Sequence, residues 1–180
     1  MPDHSGEHLP LVTTRLRLVP QTAAAVRALV EGRDPGLPLA EGYPHAATLD
    51  GLRLGAHHDP AQHTGDDVEP GGWFIVLTES GAVIGDCGAK GSADERGRVE
   101  IGYGLAAPFR GRGYGGEAVA ALVGWLLEDP RVRTVTAEVE VGNLASRRLL
   151  ERLGFSLEDT DGGSWWLALP GPPGPPGPPP

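Results

Sequence analysis

At 180 residues with Cys87 as its only cysteine, the chain suits one domain around one core, excludes an intramolecular disulfide and has no metal-ligand cysteine spacing. The formal net charge of -9 argues against sequence-independent binding to nucleic acid, whose affinity rests on lysine and arginine neutralising phosphates. Nowhere do about 18 apolar residues follow one another, and the opening Met1-Pro2-Asp3-His4 has no basic cluster leading into an apolar run, so neither export nor membrane spanning is expected and the reducing cytoplasm is the expected compartment.

Thr14 to Pro20 alternates polar and apolar residues and stops at a proline, which predicts a strand. Thr22 then caps a helix through Glu31, with Val26, Leu29 and Val30 on a compatible face and Gly32 as its stop. A weaker helical stretch lies near Ala47 to Ala56. From there to Trp73 the chain is rich in Gly, Asp, His and Pro and lacks apolar periodicity, the mark of a long functional or mobile loop. Its His57, His58 and His63 have no helical frame and no carboxylate at a recognised position, so they read as solvated histidines rather than metal ligands.

Trp73 to Thr78 and Ala82 to Lys90 flank the turn residues Glu79-Ser80-Gly81 and predict an antiparallel hairpin, with Cys87 a small buried hydrophobe. Val99 to Leu105 predicts a strand with Glu100, Gly102 and Gly104 on one face and Val99, Ile101, Tyr103 and Leu105 on the other. After a glycine-rich loop, Ala118, Ala121, Leu122, Trp125 and Leu126 recur at helical spacing up to the residue before Pro130. Arg133 to Val141 is the next strand, with Val135, Ala137, Val139 and Val141 on one face. Asn143 caps a further helix with Leu149, Leu150 and Leu153 inward and Gly154 at its end. Phe155 to Glu158 and Ser164 to Leu169 form a closing hairpin, in which Trp165 and Trp166 straddle the strand, one toward the core and the other toward a groove or solvent. The tail Gly171 to Pro180 repeats Gly-Pro-Pro too few times for a triple helix and reads as a disordered or polyproline-like extension.

The loop Pro108 to Ala118 stands between a strand and an amphipathic helix, where unpartnered backbone N–H groups and the helix dipole favour an anion. Its glycines remove side chains that would keep a diphosphate away, and Arg110 and Arg112 add charge. A nucleoside triphosphate loop, Gly-x-x-x-x-Gly-Lys-Ser/Thr, is absent. Gly111, Gly113 and Gly116 satisfy the dinucleotide pattern Gly-x-Gly-x-x-Gly, but that pattern belongs at the first strand of a repeated parallel array, and antiparallel strands precede it here.

A third pattern, Gln/Arg-x-x-Gly-x-Gly/Ala, is met at every specified place by Arg110, Gly113 and Gly115. Here the chain resembles the GNAT superfamily of N-acetyltransferases, especially its RimJ/RimL-type branch, which acetylates ribosomal-protein N-termini. Further pieces are Thr14-Arg15-Leu16-Arg17-Leu18, the hairpin from Trp73 to Gly85, Glu100-Ile101-Gly102-Tyr103, and Asn143 through Phe155. The resemblance implies an α+β (mixed α/β) fold over residues 12–169. Its central sheet is mostly antiparallel, splayed and six- to seven-stranded, and about four helices flank it. Residues 1–11 form a flexible N-terminus and 170–180 the tail.

The resemblance also implies a site. Acetyl-coenzyme A is the donor, no metal is needed, and its pyrophosphate meets Arg110, Gly111, Arg112, Gly113, Tyr114 and Gly115. The strands at Val99–Leu105 and Arg133–Val141 part, the pantetheine arm lies between them, and main-chain groups of Tyr103, Gly104 and Leu105 pair with it and polarise the thioester carbonyl. Asn143 contacts the arm, caps the helix, or does both. Glu100 is the candidate general base because two glycines on its face leave room beside it; the alternative is an ion-paired strand glutamate. Many relatives carry a tyrosine acid where Leu150 stands here; Ser146 is the candidate substitute acid, the alternatives being an inert helix serine and a thiolate that leaves without enzymatic help. The loop histidines border the acceptor site on the same analogy.

The implied partner is an amine. An α-amine is neutral in roughly a tenth or more of molecules at pH 7 and a lysine side chain in well under ~0.1%, so an N-terminal α-amine is the less demanding acceptor. A small amine (amino acid, aminoglycoside-like antibiotic or polyamine) is the enzyme alternative, and a non-catalytic acyl-coenzyme A sensor the non-enzyme one. No nucleic acid or membrane partner is expected, and a homodimer is compatible with a sequence that leaves oligomeric state open.

Overall fold

The computed structural model describes residues 10–55 and 72–172, so the loop histidines, the leading residues 1–9 and the tail beyond 172 lie outside the described residues. Each predicted strand is formed. β1 (Leu11–Val12), β2 (Leu16–Pro20), β3 (Gly72–Leu77), β4 (Val83–Ala89), β5 (Arg98–Leu105), β6 (Thr134–Glu140), β7 (Ser156–Thr160) and β8 (Ser164–Pro170) make one eight-stranded sheet in the order β1-β2-β3-β4-β5-β6-β8-β7. The strand beyond the expected six to seven is β1, which pairs Leu11 with Leu18 and Val12 with Arg17. Two residues are too short to show an alternation, which is why the pattern does not announce it.

All neighbours are antiparallel except β5 and β6, which are parallel and joined only at Arg98–Thr134, Val99–Val135 and Glu100–Thr136. Beyond that point β5 stays with β4 through Leu105, and β6 stays with β8 over its whole length. The sheet therefore opens between them. Thr136, buried at the fork, donates its hydroxyl to the Val99 carbonyl at 3.3 Å, a last cross-link before the parting.

Among the described residues four α-helices cover the two faces: α1 (Ala23–Val30), α2 (Ala46–Gly55), α3 (Tyr114–Glu128) and α4 (Leu144–Arg152). Thr22 caps α1 by accepting the Ala25 N–H, and Asn143 caps α4 by accepting the Ser146 N–H. Gly154, at φ 94°, supplies the left-handed residue after α4. On one face Leu16, Leu18, Ile75, Ile84, Val99, Ile101, Val135 and Leu167 pack with Ala118, Leu122 and Leu126 of α3 and Leu150 of α4. On the other face Phe74, Val76 and Val83 pack with Leu29 of α1, Tyr43 and Ala106. The α1 stripe centres on Ala28 and Leu29, so Val26 and Val30 sit at its margins rather than in the core. Cys87 is buried, and burial pushes its thiol well above the ordinary range. Trp165 and Trp166 are both half-buried, so neither takes a full core position; Arg147 stacks over the Trp165 ring at 4.5 Å.

Candidate active site

Three surfaces meet at the fork. The first is the loop and the start of α3. A 3-10 turn at Ala107–Phe109 leads to Gly111 (φ 71°) and to Gly113 (φ 83°), which caps α3 without a side chain. The first intrahelical bond is from the Glu117 N–H to the Gly113 carbonyl, so the N–H groups of Tyr114, Gly115 and Gly116 have no intrahelical acceptor. Gly115 has a different reason to be glycine: a Cβ there would lie 3.1 Å from Leu149 Cδ1 and 3.5 Å from Leu105 Cδ1. Arg112 is exposed, with its guanidinium 5.9 Å from the Phe109 ring centre. Arg110 is exposed too, but its Nε donates to the Leu105 carbonyl at 2.8 Å, tying the loop to the end of β5.

A brace from the first strands holds this loop. Glu117 accepts the Thr13 hydroxyl at 2.6 Å, the Arg15 N–H at 2.7 Å and Arg15 Nε at 2.7 Å. Arg15 also donates Nη1 to the Arg112 carbonyl at 3.0 Å, and its guanidinium lies 4.6 Å from the Tyr114 ring centre. Burial raises the Glu117 carboxyl, but the bonds from Thr13 and Arg15 together outweigh it and hold it below the usual glutamate range. Sequence reading missed this brace, since Thr13 and Glu117 are 104 residues apart.

The second surface is the open edge of β5. The Glu100 carbonyl accepts the Lys90 N–H and the Ala106 N–H donates to the Ile84 carbonyl. By strand alternation Gly104 therefore turns its main-chain groups to β4, while those of Tyr103 and Leu105 face the fork. Tyr103 reaches across to α4, donating its hydroxyl to the Ser146 carbonyl at 3.4 Å, and its burial raises the phenol above its ordinary range. Ser146 is half-buried, Asn143 is exposed, and Leu150 is fully buried in the core, so no polar group stands at that α4 position.

The third surface is a cavity of about 280 Å³ on the α1/α2 face of the sheet, lined among others by His45, Thr48, Asp86, Lys90, Gly102 and Gly104. Gly104 lets the His45 ring approach the strand closely: a Cβ there would lie 2.9 Å from His45 Nε2. His45 Nδ1 accepts the Thr48 N–H at 3.0 Å, closing the start of α2 and leaving Nε2 toward Gly104. The Thr48 hydroxyl donates to Asp86 Oδ2 at 2.8 Å. Burial raises the Asp86 carboxyl most; the Thr48 bond, the Tyr43 hydroxyl dipole and the His45 imidazole pull the other way, and the net direction is upward. Tyr43 is itself buried, its hydroxyl outside ordinary hydrogen-bond limits, and burial together with Asp86 drives its phenol far up.

Glu100 lies on the same face, but the room beside it is taken. Lys90 Nζ sits 2.5 Å from Glu100 Oε1, and a Cβ on Gly102 would lie 3.4 Å from Lys90 Cε. Glu100 and Gly104 are four positions apart, about 13 Å of strand, whereas Asp86 is the direct cross-strand partner of Gly104. Asp86, Thr48 and His45 carry no motif. The one available signal was the alternation of β4, which puts Asp86 on the Glu100 side. Among the described residues no group of three or more His, Cys, Asp and Glu side chains could hold a metal ion, and no helix is long and apolar enough to cross a membrane.

Residues 15–156 match the family model described as an acetyltransferase (GNAT) domain. The uncharacterized N-acetyltransferase YjdG of Bacillus subtilis (strain 168) is 39% identical over 85 residues, which are 47% of this chain and 51% of that protein. The chain spans about half the length of the curated relatives it matches. RimL, a ribosomal L7/L12 alpha-N-protein acetyltransferase in complex with coenzyme A, superposes with a TM-score of 0.66 at 17% identity, covering 91% of this chain and 98% of that one. The ribosomal-protein-S5-alanine acetyltransferase from Vibrio fischeri does so at 0.61 and 15% identity, covering 91% and 97%. At these identities the two structures show a shared fold.

Proposed function

We propose, from the premise that the chain belongs to the acetyltransferase (GNAT) family, that it is an acetyl-coenzyme A-dependent N-acetyltransferase acting on a primary amine, in the first place the α-amine of a protein or peptide N-terminus. One observation carries the reading: the three-pair junction of β5 and β6 opens beside a helix start whose amides are free. Such a start favours a diphosphate, and the parted edge offers an extended chain main-chain partners of the kind a strand would supply.

Acetyl-coenzyme A, when bound, supplies the activated acyl group. In this reading Gly111 and Gly113 let the backbone approach the pyrophosphate, the amides of Tyr114 and Gly115 donate to it, and Arg112 neutralises charge. Arg110 closes the loop against β5. Tyr103 and Leu105 hold the arm along the open edge, and Gly104 lets His45 lie close against the adjoining wall. Asn143, already the α4 cap, borders the arm at the end of β6. Glu100 receives the amine proton through water once Lys90 turns aside, and the Ser146 hydroxyl returns a proton to the leaving thiolate. The work is done in the cytoplasm.

The acceptor assignment rests on the RimL-type neighbours and on the lower cost of deprotonating an α-amine. A second reading, a non-catalytic acyl-coenzyme A sensor, draws on the full burial of Leu150 where relatives use an acid. The test follows free thiol from acetyl-coenzyme A with N-terminal peptide amines and with amino acid, aminoglycoside and polyamine acceptors. Release above the hydrolysis rate with the peptides is expected. Release only with small amines moves the acceptor class, and binding without release from any acceptor leaves the sensor.

A further inference from the structure

Asp86 is a mostly buried carboxylate with no Lys or Arg counter-ion among the described residues; the His45 imidazole is the neighbour whose charge favours its ionised form. Lys90, on the same strand face, is engaged by Glu100. Removing a carboxylate from water is costly unless a cation or several donors compensate, and here the Thr48 hydroxyl donates to it at 2.8 Å. The cost is maintained at one particular place. Asp86 lines the cavity beside Gly104, its cross-strand partner, on the segment whose other edge faces the fork.

We propose that this cavity admits the acceptor as its ammonium ion, with Asp86 as the counter-ion that selects it and with Thr48 and His45 orienting the carboxylate. This rests on the amine-acetylating reading and adds to it the chemistry that recognises the acceptor before any proton leaves. Three features support it. Gly102 and Gly104 add no side chain of their own to the sheet wall, so Lys90 and the His45 ring lie against it beside Asp86. The His45 Nδ1 bond to the Thr48 N–H fixes the imidazole and so the start of the helix that carries Thr48. The Thr48 hydroxyl, spent on Asp86 Oδ2, leaves Oδ1 for a substrate N–H.

The titratable and charged groups around Asp86 are Tyr43 and His45 before α2, Cys87 and Lys90 on or next to β4, and Glu100 and Tyr103 on β5. Because burial raises its carboxyl, ammonium binding weakens on the acid side at a pH above the ordinary aspartate range, where the carboxyl takes up a proton.

The experiment titrates the coenzyme A-loaded full chain with two cationic probes, an alanine-led tripeptide amide and putrescine, and with the N-acetylated, uncharged tripeptide amide. In Asp86→Asn the cationic probes should bind on the order of tenfold more weakly or worse, while the uncharged peptide is unaffected and the acid limb of the wild type disappears. The melting temperature of Asp86→Asn should equal or exceed that of the wild type, since the variant loses a buried charge whose desolvation outweighs its local partners; a merely structural Asp86 would lower it. Cationic probes bound equally by variant and wild type, equal losses for charged and uncharged peptides, or no binding of either cationic probe by the wild type each overturn the proposal. Coenzyme A binding, titrated separately, tells that outcome from failure of the acetyltransferase reading, in which the coenzyme itself gives no heat.

Discussion

Glu100 and Gly113 carry two of the single-residue roles proposed for the site. Glu100 is ion-paired and half-buried at rest, so its availability depends on Lys90 moving. With Glu100→Gln, kcat should fall by about 10²-fold or more while coenzyme A affinity is retained, measured by steady-state thiol release and calorimetry; an unchanged kcat removes it as the base. Gly113 has a different constraint. Its φ of 83° costs an L-residue on the order of 1–2 kcal/mol, and a Cβ would press to 3.2 Å from Arg15 Nη2. Gly113→Val should weaken coenzyme A binding roughly tenfold or more, because the displaced backbone carries the amides proposed to meet the anion. At this scale the loop was readable from its residues, since glycine spacing and free amides are local properties. Asp86, His45 and Thr48 were not, because they become a cluster only when α2 lies on β4.

At the scale of elements, the Arg15–Glu117 brace joins β2 to the start of α3. Glu117 is mostly buried, with three donors on its carboxylate. Glu117→Gln should cost about 1–3 kcal/mol near neutral pH, read by denaturant midpoint. The pH dependence follows from the depressed carboxyl. Its contribution is present above the unfolded-state value of about 4.3 and is lost as pH falls through the lower folded value, so the stability gap to Glu117→Gln should close on that descent. Within α4, Leu150→Ala should cost about 2–5 kcal/mol in the same measurement, since the side chain is fully buried between α4 and the sheet. Helices and their caps were largely legible: Thr22, Asn143 and Gly154 stand where the pattern predicts, because capping depends on a few neighbouring residues. The two-residue β1 was not, since only its register against β2 makes it a strand.

For the whole molecule, the sheet behaves as two blocks, β1 to β5 and β6 to β8, joined by three residue pairs and by the packing of α3 and α4 across them. The fork-facing amides of Tyr103 and Leu105 have no strand partner on that side, so they should exchange hydrogen quickly in the free protein and slow on addition of coenzyme A, with β3 and β4 protected throughout. Fast exchange in both states, measured by hydrogen–deuterium exchange, would count against the arm lying along β5. The chain's residues alone determined the strand and helix series, the glycine-rich loop and the family, because apolar period, caps and glycine spacing are written over short stretches. Tertiary structure alone decided that β5 and β6 part after three pairs, that Lys90 occupies Glu100, and that Asp86 lies in a cavity with Thr48 and His45. Those facts depend on strand register and on a helix laid across the sheet, which bring together residues whose distance along the chain says nothing of their distance in space.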